Sequence, residues 1–182
     1  MARLRLRIPF GGSAVARLDE GVQIMRAAWR EGRVSFDGKH YQVDDAIVAP
    51  KPLQENSIPL WIAGGGEQVT LRIAARYAQY TNFSCEPEGF AHKSRMLAEH
   101  CRDVGTDYDK IVKSANFSAV IGESESDVAD RIARIRARQV PVAGEAAVDA
   151  MLSTMSAPES GSGTTEQVIE KLQRVRDLGC EY

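Results

Sequence analysis

The chain has 182 residues, of which 43% are hydrophobic and 26% charged, and its formal net charge is −2. These values predict a globular protein with one sizeable core, and they give no basic footprint for nucleic acid or an anionic membrane. The three cysteines are widely spaced and share no ligand motif with the three histidines. Neither a disulfide scaffold nor a metal site is therefore expected.

Targeting signals are also missing from the sequence pattern. No segment approaches the roughly 18 consecutive apolar residues that a membrane-spanning helix needs. The arginine-rich start, MARLRLRIPF, lacks the apolar region of a signal peptide. We therefore expect a cytoplasmic protein.

The first third of the chain predicts a helix followed by a hairpin. Apolar residues spaced by three and four predict a helix over about 15–30, which Gly32 would end. Asp37-Gly38 lies between two short β-prone runs, and this dipeptide is typical of a tight hairpin turn. Three prolines within 50–59 predict an extended connection.

From Leu60 onward the sequence predicts strands that alternate with helices, as in an α/β protein with parallel strands. Capping boxes at Ser124 and Thr164 predict two of the helix starts, and Val128, Ile132 and Ile135 are expected to face inward. The predicted strands are 60–63, 78–84 and 111–121, and the predicted helices are 67–77, 87–104, one from 125, a short one within 141–163, and 165–178.

The most informative short stretch is PLWIAGGGEQVTLRIAARYA, in which Gly64, Gly65 and Gly66 separate a strand from a helix. Glycines allow close backbone approach, and the N-terminus of a helix attracts anions, so the loop suits a phosphate. A tight strand-to-helix turn needs the same residues. GGGEQ matches neither the dinucleotide-binding fingerprint nor the P-loop. The carboxylate of Glu67 could itself interact with the positive end of the helix dipole. A phosphate site and a tight turn therefore both stay open as interpretations.

Six blocks of sequence resemble, in order, the bacterial luciferase-like monooxygenase superfamily, and within it the oxidoreductases that use the deazaflavin coenzyme F420. They are RLDEGVQIMRAAW, VSFDGKHYQVDDA, APKPLQ, IPLWIAGGGEQVTLRIAARYA, EHCRDVGTDYDKI and GTTEQVIEKLQRVRDLGCEY. The resemblance implies an α/β fold, a partial TIM-type (β/α)8 barrel with a β-hairpin insertion. It would be the C-terminal half of the barrel, from helix 4 to the start of strand 8, within a single domain 1–182, and the chain would be truncated.

The resemblance also implies a cofactor site. In relatives the loop after the fifth strand holds the phosphate of the deazaflavin, and Asn82 would line the mouth of the barrel, although Gln79 replaces the usual Asp nearby. The implied reaction is hydride transfer between reduced F420 and a small organic substrate, and an FMN-dependent monooxygenase is the near variant. The implied cofactor-binding residues are Ala63, Gly64, Gly65, Gly66 and Asn82.

No catalytic acid, base or nucleophile is predicted, because the ring-contacting residues of the family lie in the first four strands of its barrel. The alternative function is a non-catalytic half barrel with residual phosphate binding. A half barrel exposes strand edges and an apolar inner face. Such a chain is expected to aggregate, to remain partly ordered, or to pair as a homo-oligomer.

Overall fold

The computed structural model describes residues 13–54, 58–64, 66–83, 86–157 and 160–181. The arginine-rich start, Gly65 and Cys85 lie outside these residues. Within them, helices α1 to α6 span Ser13–Glu31, Thr70–Tyr77, Pro87–Val104, Glu125–Ala143, Glu145–Met155 and Thr165–Asp177, and strands β1 to β6 span Arg33–Asp37, Gln42–Ile47, Tyr80–Phe83, Val112–Ala115, Ile121–Gly122 and Gly163–Thr164.

The chain divides into two compact units, and each draws on two separate stretches of sequence. The first unit comprises Met1–Thr81 and Leu97–Ile111, and the second comprises Asn82–Met96 and Val112–Tyr182. Helix α3 therefore contributes to both units. Among the described residues, no helix is both long enough and apolar enough to cross a membrane.

In the first unit, the predicted helix and hairpin are confirmed. Helix α1 buries Val22 and Ala28, and Gly32 follows it with φ +73°, as a helix-ending glycine does. Strands β1 and β2 pair antiparallel, with Val34 opposite Ala46. The hairpin therefore forms from the alternating runs that the sequence shows.

The predicted turn at Asp37-Gly38 is nevertheless longer than a two-residue turn. Four residues, 38–41, connect β1 to β2. The carboxylate of Glu20 on α1 accepts hydrogen bonds from the backbone N–H groups of Lys39, His40 and Tyr41, at 3.0, 2.9 and 2.9 Å. An anion from a distant part of the sequence thus fixes the loop, and a local turn rule cannot foresee it.

The first unit also contains the segment that leads into the glycines. Leu60 and Ile62 are buried, and Trp61 forms a parallel bridge with Tyr80 rather than a longer strand. The Ile62 N–H donates to the Tyr80 carbonyl at 3.0 Å. Helix α2 begins at Thr70, three residues after the predicted start at Glu67.

In the second unit, the predicted strand 111–121 is wrong as a single element. Strand β4 pairs with β3, whose last two residues belong to this unit, whereas β5 pairs with β6. The β5–β6 pair is parallel, with Ile121 opposite Gly163. The intervening chain leaves the first ladder, and the buried Val120 N–H donates to the Ser162 hydroxyl at 2.8 Å.

Helix α4 runs into the segment 141–163, in which a separate short helix was predicted, and it is little buried. It continues through Pro141 to Ala143, and none of its residues is buried. Val128, Ile132 and Ile135 are half-buried, whereas the residues between them are exposed, so the expected inward-facing stripe is present but only partly covered. The predicted helix starts are confirmed, because Ser124 and Thr164 accept hydrogen bonds from the N–H groups of Asp127 and Gln167.

Candidate functional site

The glycine loop connects a buried segment to a buried helix face. Ile62 before the loop is 6% exposed and Leu71 after it is 1% exposed. Ala63, Gly64 and Gly66 are exposed between them, and Gly65 lies outside the described residues. The loop backbone is thus held at both ends and is open to solvent.

Two of the glycines are required by the local geometry. Gly64 has φ +144°, a conformation that other L residues rarely adopt, and a Cβ atom there would lie 3.1 Å from Thr70 Cγ2. A Cβ atom on Gly66 would lie 2.8 Å from Thr70 Oγ1. Thr70 is 9% exposed, so its side chain packs beneath the loop. Gln68 is exposed.

Helix α2 starts without a capping side chain. Val69 occupies the N-cap position and makes no side-chain capping hydrogen bond. The N-terminus of a helix carries partial positive charge and backbone N–H groups that need acceptors. A phosphate fits here, because the glycines leave the loop backbone uncovered and the charge of the helix end favours an anion.

Gln79 supports the segment that enters the loop. Its side-chain oxygen accepts from the Leu60 N–H at 2.9 Å, and its amide group donates to the Tyr77 carbonyl at 3.3 Å. A carboxamide oxygen accepts a hydrogen bond at this position as a carboxylate would. Gln79, at the position where the resemblance implies Asp, therefore supplies an acceptor for the Leu60 N–H.

Asn82, the remaining predicted site residue, belongs to the second unit. Its amide donates to the hydroxyl of Ser114 at 3.0 Å, and Ser114 is 2% exposed. This partner orients the Asn82 carboxamide. Ser114 was not singled out from the sequence, although its position as a polar residue within the predicted strand 111–121 is the signal that could have identified it.

A buried lysine in the second unit was also missed. The Lys113 ammonium group lies 2.9 Å from the Glu181 carboxylate, and the Glu181 N–H donates to the Lys113 carbonyl at 2.8 Å. The hydrogen bond from Lys113 lowers the pKa of the Glu181 carboxyl below its ordinary value. Glu181 therefore lies beside β4.

The described residues bring together one part of the predicted site. Ala63, Gly64 and Gly66 share a single exposed loop, and Asn82 is described within the other unit. Among the described residues, no group of three or more His, Cys, Asp or Glu side chains is placed to hold a metal ion.

Comparisons with known proteins place these features in a family. Residues 12–182 match the model of the luciferase-like monooxygenases. Pyrimidine monooxygenase RutA of Stutzerimonas stutzeri (strain A1501) is 28% identical over 158 residues, which are 84% of this chain and 41% of that protein. The F420-dependent glucose-6-phosphate dehydrogenase of Mycobacterium leprae (strain Br4923) is 31% identical over 121 residues, which are 66% of this chain and 31% of that protein.

A solved structure shares the fold. An F420-dependent secondary alcohol dehydrogenase, in complex with an F420–acetone adduct, superposes with a TM-score of 0.73 at 18% identity. The superposition covers 96% of this chain and 56% of the dehydrogenase. The molecule is thus an α/β protein with part of the fold of the TIM-barrel-type oxidoreductases.

The family match over residues 12–182 is wide enough to identify the class. The chain belongs to the luciferase-like monooxygenase family, as its sequence blocks indicated. It spans 41% and 31% of the lengths of the two curated relatives.

Proposed function

We propose that the chain is the phosphate-anchoring part of an F420-dependent oxidoreductase. The loop formed by Ala63, Gly64, Gly65 and Gly66 would hold the phosphate of the cofactor, and Asn82 is proposed as a further cofactor-binding residue. The reaction would be hydride transfer between the reduced deazaflavin and a small organic substrate.

The observation that carries this proposal is the exposed glycine loop at an uncapped helix start. Gly64 has a positive φ, Thr70 leaves little space for a Cβ atom at Gly64 or Gly66, and Val69 supplies no capping oxygen. Two of the relatives are F420-dependent by name. One is named a monooxygenase, and an FMN-dependent monooxygenase is therefore the second candidate.

The proposal also states which part of a TIM-type barrel the chain corresponds to. We assign it to the stretch from the fourth helix to the start of the eighth strand, within a single domain. One feature supports the proposed end point: the Glu181 N–H donates to the Lys113 carbonyl of β4, as a residue at the start of a further strand would.

In this proposal the residues of the chain bind and orient. The backbone N–H groups at the start of α2 would donate to phosphate oxygens, and the partial positive charge of the helix end would add to the attraction. Gln79 would hold the entering segment in place through Leu60. The bound cofactor would supply the hydride chemistry, while the protein fixes its position.

Titration of the purified full chain with F420, and separately with FMN, tests the proposal. We expect F420 to bind, inorganic phosphate to compete with it, and the reduced cofactor to donate hydride to an added acceptor. Tighter binding of FMN than of F420 would favour the monooxygenase variant.

Two further outcomes are informative. Binding without any hydride transfer would support the alternative of a non-catalytic chain with residual cofactor affinity. Absence of binding to both cofactors, by a chain that unfolds cooperatively, would refute the proposed function.

A further inference from the structure

A buried histidine contacts the turn that follows the glycines. His100 on α3 is 7% exposed, and its Nε2 atom lies 2.7 Å from the Glu67 carbonyl oxygen. A carbonyl oxygen only accepts hydrogen bonds, so Nε2 carries the proton. The Nδ1 atom is buried and has no hydrogen-bond partner among the described residues.

The Glu67 carbonyl has this neighbour because the start of α2 is wound more widely than an α-helix. The Leu71 N–H donates to the Gly66 carbonyl at 3.1 Å, one residue further back than in an α-helix. Leu71 is the residue whose N–H would otherwise bond to the Glu67 carbonyl. The ring of His100 supplies a donor for that carbonyl.

The direction of this carbonyl fixes the direction of a neighbouring N–H group. The Glu67 C=O and the Gln68 N–H belong to one planar trans peptide group and point in opposite directions. Because the carbonyl points to a buried ring, the Gln68 N–H points away from that ring. Gln68 is exposed as a residue, and no hydrogen bond from its N–H to another backbone group is found among the described residues.

We propose that His100 is a positioning residue that holds the Gln68 N–H toward the phosphate of the bound cofactor. This inference rests on the proposed function, and it adds to that function a donor that the glycine motif does not contain. It assigns His100 no part in proton transfer, because Nε2 bonds to a backbone carbonyl and Nδ1 is buried.

Two substitutions in the full chain separate the hydrogen bond from simple packing. His100→Leu introduces an apolar side chain of similar bulk and removes the donor, whereas His100→Gln keeps an N–H donor. We expect His100→Leu to weaken F420 and inorganic phosphate binding about tenfold, and His100→Gln to bind within about threefold of the unsubstituted chain. His92→Leu, an exposed position on the same helix, is the matched control and should bind normally.

A second measurement does not depend on the cofactor. In the cofactor-free chain, the amide of Gln68 should change its chemical shift and exchange faster with solvent in His100→Leu but not in His100→Gln. Equal losses of binding in both variants would overturn the inference, because packing alone would then explain the effect.

The outcomes distinguish the two proposals. If the unsubstituted chain binds F420 and His100→Leu binds it equally well, the positioning role of His100 is refuted while the proposed function stands. If the unsubstituted chain binds neither F420, FMN nor phosphate, the proposed function fails and the inference fails with it.

Discussion

The N-termini of α2 and α6 follow a glycine-containing segment in both cases, yet they are completed differently. At α6, the Thr164 side chain accepts from the Gln167 N–H, and the Gln167 side chain accepts from the Thr164 N–H at 2.9 Å. At α2, Val69 stands at the N-cap and offers no side-chain oxygen. The start of α6 is satisfied by its own side chains, whereas no side chain caps the start of α2, where we propose that an external anion binds.

The hairpin loop in the first unit shows how an anion completes such a group of N–H donors. Three successive N–H groups, at Lys39, His40 and Tyr41, converge on the carboxylate of Glu20. Burial alone would raise the pKa of the Glu20 carboxyl, but the backbone hydrogen bonds and the nearby His40 outweigh it and lower the pKa. The chain provides this anion itself, and we propose that a cofactor provides the one at α2.

An uncapped start alone does not define a site. Helix α5 also begins without a side-chain cap, at Gly144. It follows α4 after a single residue, whereas α2 follows a loop of exposed glycines. The exposed glycines therefore distinguish the start of α2 from that of α5, and substitution of a glycine should have the largest effect.

Substitution of Gly64 by alanine should have the largest effect. The substitution would place a residue other than glycine at φ +144°, and the new Cβ atom would lie 3.1 Å from Thr70 Cγ2. We expect a loss of about 1–3 kcal/mol in the free energy of unfolding and at least about tenfold weaker F420 binding. Chemical denaturation and cofactor titration measure the two effects.

Gly105→Ala is the matched control for strain. Gly105 has φ +73°, and a Cβ atom there would meet no heavy atom within 4 Å. This variant should lose about 1–2 kcal/mol of stability and keep its cofactor affinity. Equal affinity losses in both variants would contradict a specific role for the glycine loop.

Thr164→Ala should have a smaller effect, restricted to stability. Removing the cap of α6 should lower the free energy of unfolding by about 1 kcal/mol, because the Gln167 N–H loses its acceptor. Thr165→Ala, an exposed position one residue later, serves as the control and should change little. A marked loss of F420 affinity in Thr164→Ala would show that the two helix starts do not differ as we describe.

Glu20→Gln should have the smallest effect and the clearest pH dependence. The folded-state pKa of Glu20 lies below its ordinary value, so its contribution is present at neutral pH and is lost as the pH falls through the folded value. The melting temperature of the variant should be lower than that of the unsubstituted chain at pH 7. The difference should shrink between about pH 5 and pH 3.

Glu31→Gln, a carboxylate paired with Arg30 at the exposed end of the same helix, is the control for a general charge effect. It should leave the melting temperature nearly unchanged across this pH range. A difference between Glu20→Gln and the unsubstituted chain that stays constant down to pH 3 would exclude the carboxylate as the acceptor for the loop.

Local sequence patterns predicted most helices because their signals lie within a few residues. Helix α6 is an example, since Thr164 and Gln167 make the capping box that the spacing indicates. Helix α3 begins at Pro87 and ends at Val104, one residue before Gly105, at the positions that proline and glycine favour. In these cases the residues that determine a helix boundary lie at that boundary.

The boundaries that the sequence predicted wrongly depend on features that local patterns do not show. The hairpin loop depends on Glu20, which lies about twenty residues earlier, and the start of α2 depends on a wider turn that no capping residue marks. The strand predicted over 111–121 divides because Val120 bonds to Ser162 far along the chain. The glycine site could be located from sequence, whereas its supports at Gln79, His100 and Thr70 required coordinates.

The most direct test of the central claim follows the backbone amides of the full chain while F420 is added. If the loop anchors the phosphate, the amide signals of Gly64, Gly66 and Gln68 should shift in a saturable manner. Inorganic phosphate should shift the same signals, and the amides at the start of α6 should stay in place. Saturable F420 binding that leaves the amides of residues 64–68 unchanged would contradict the account.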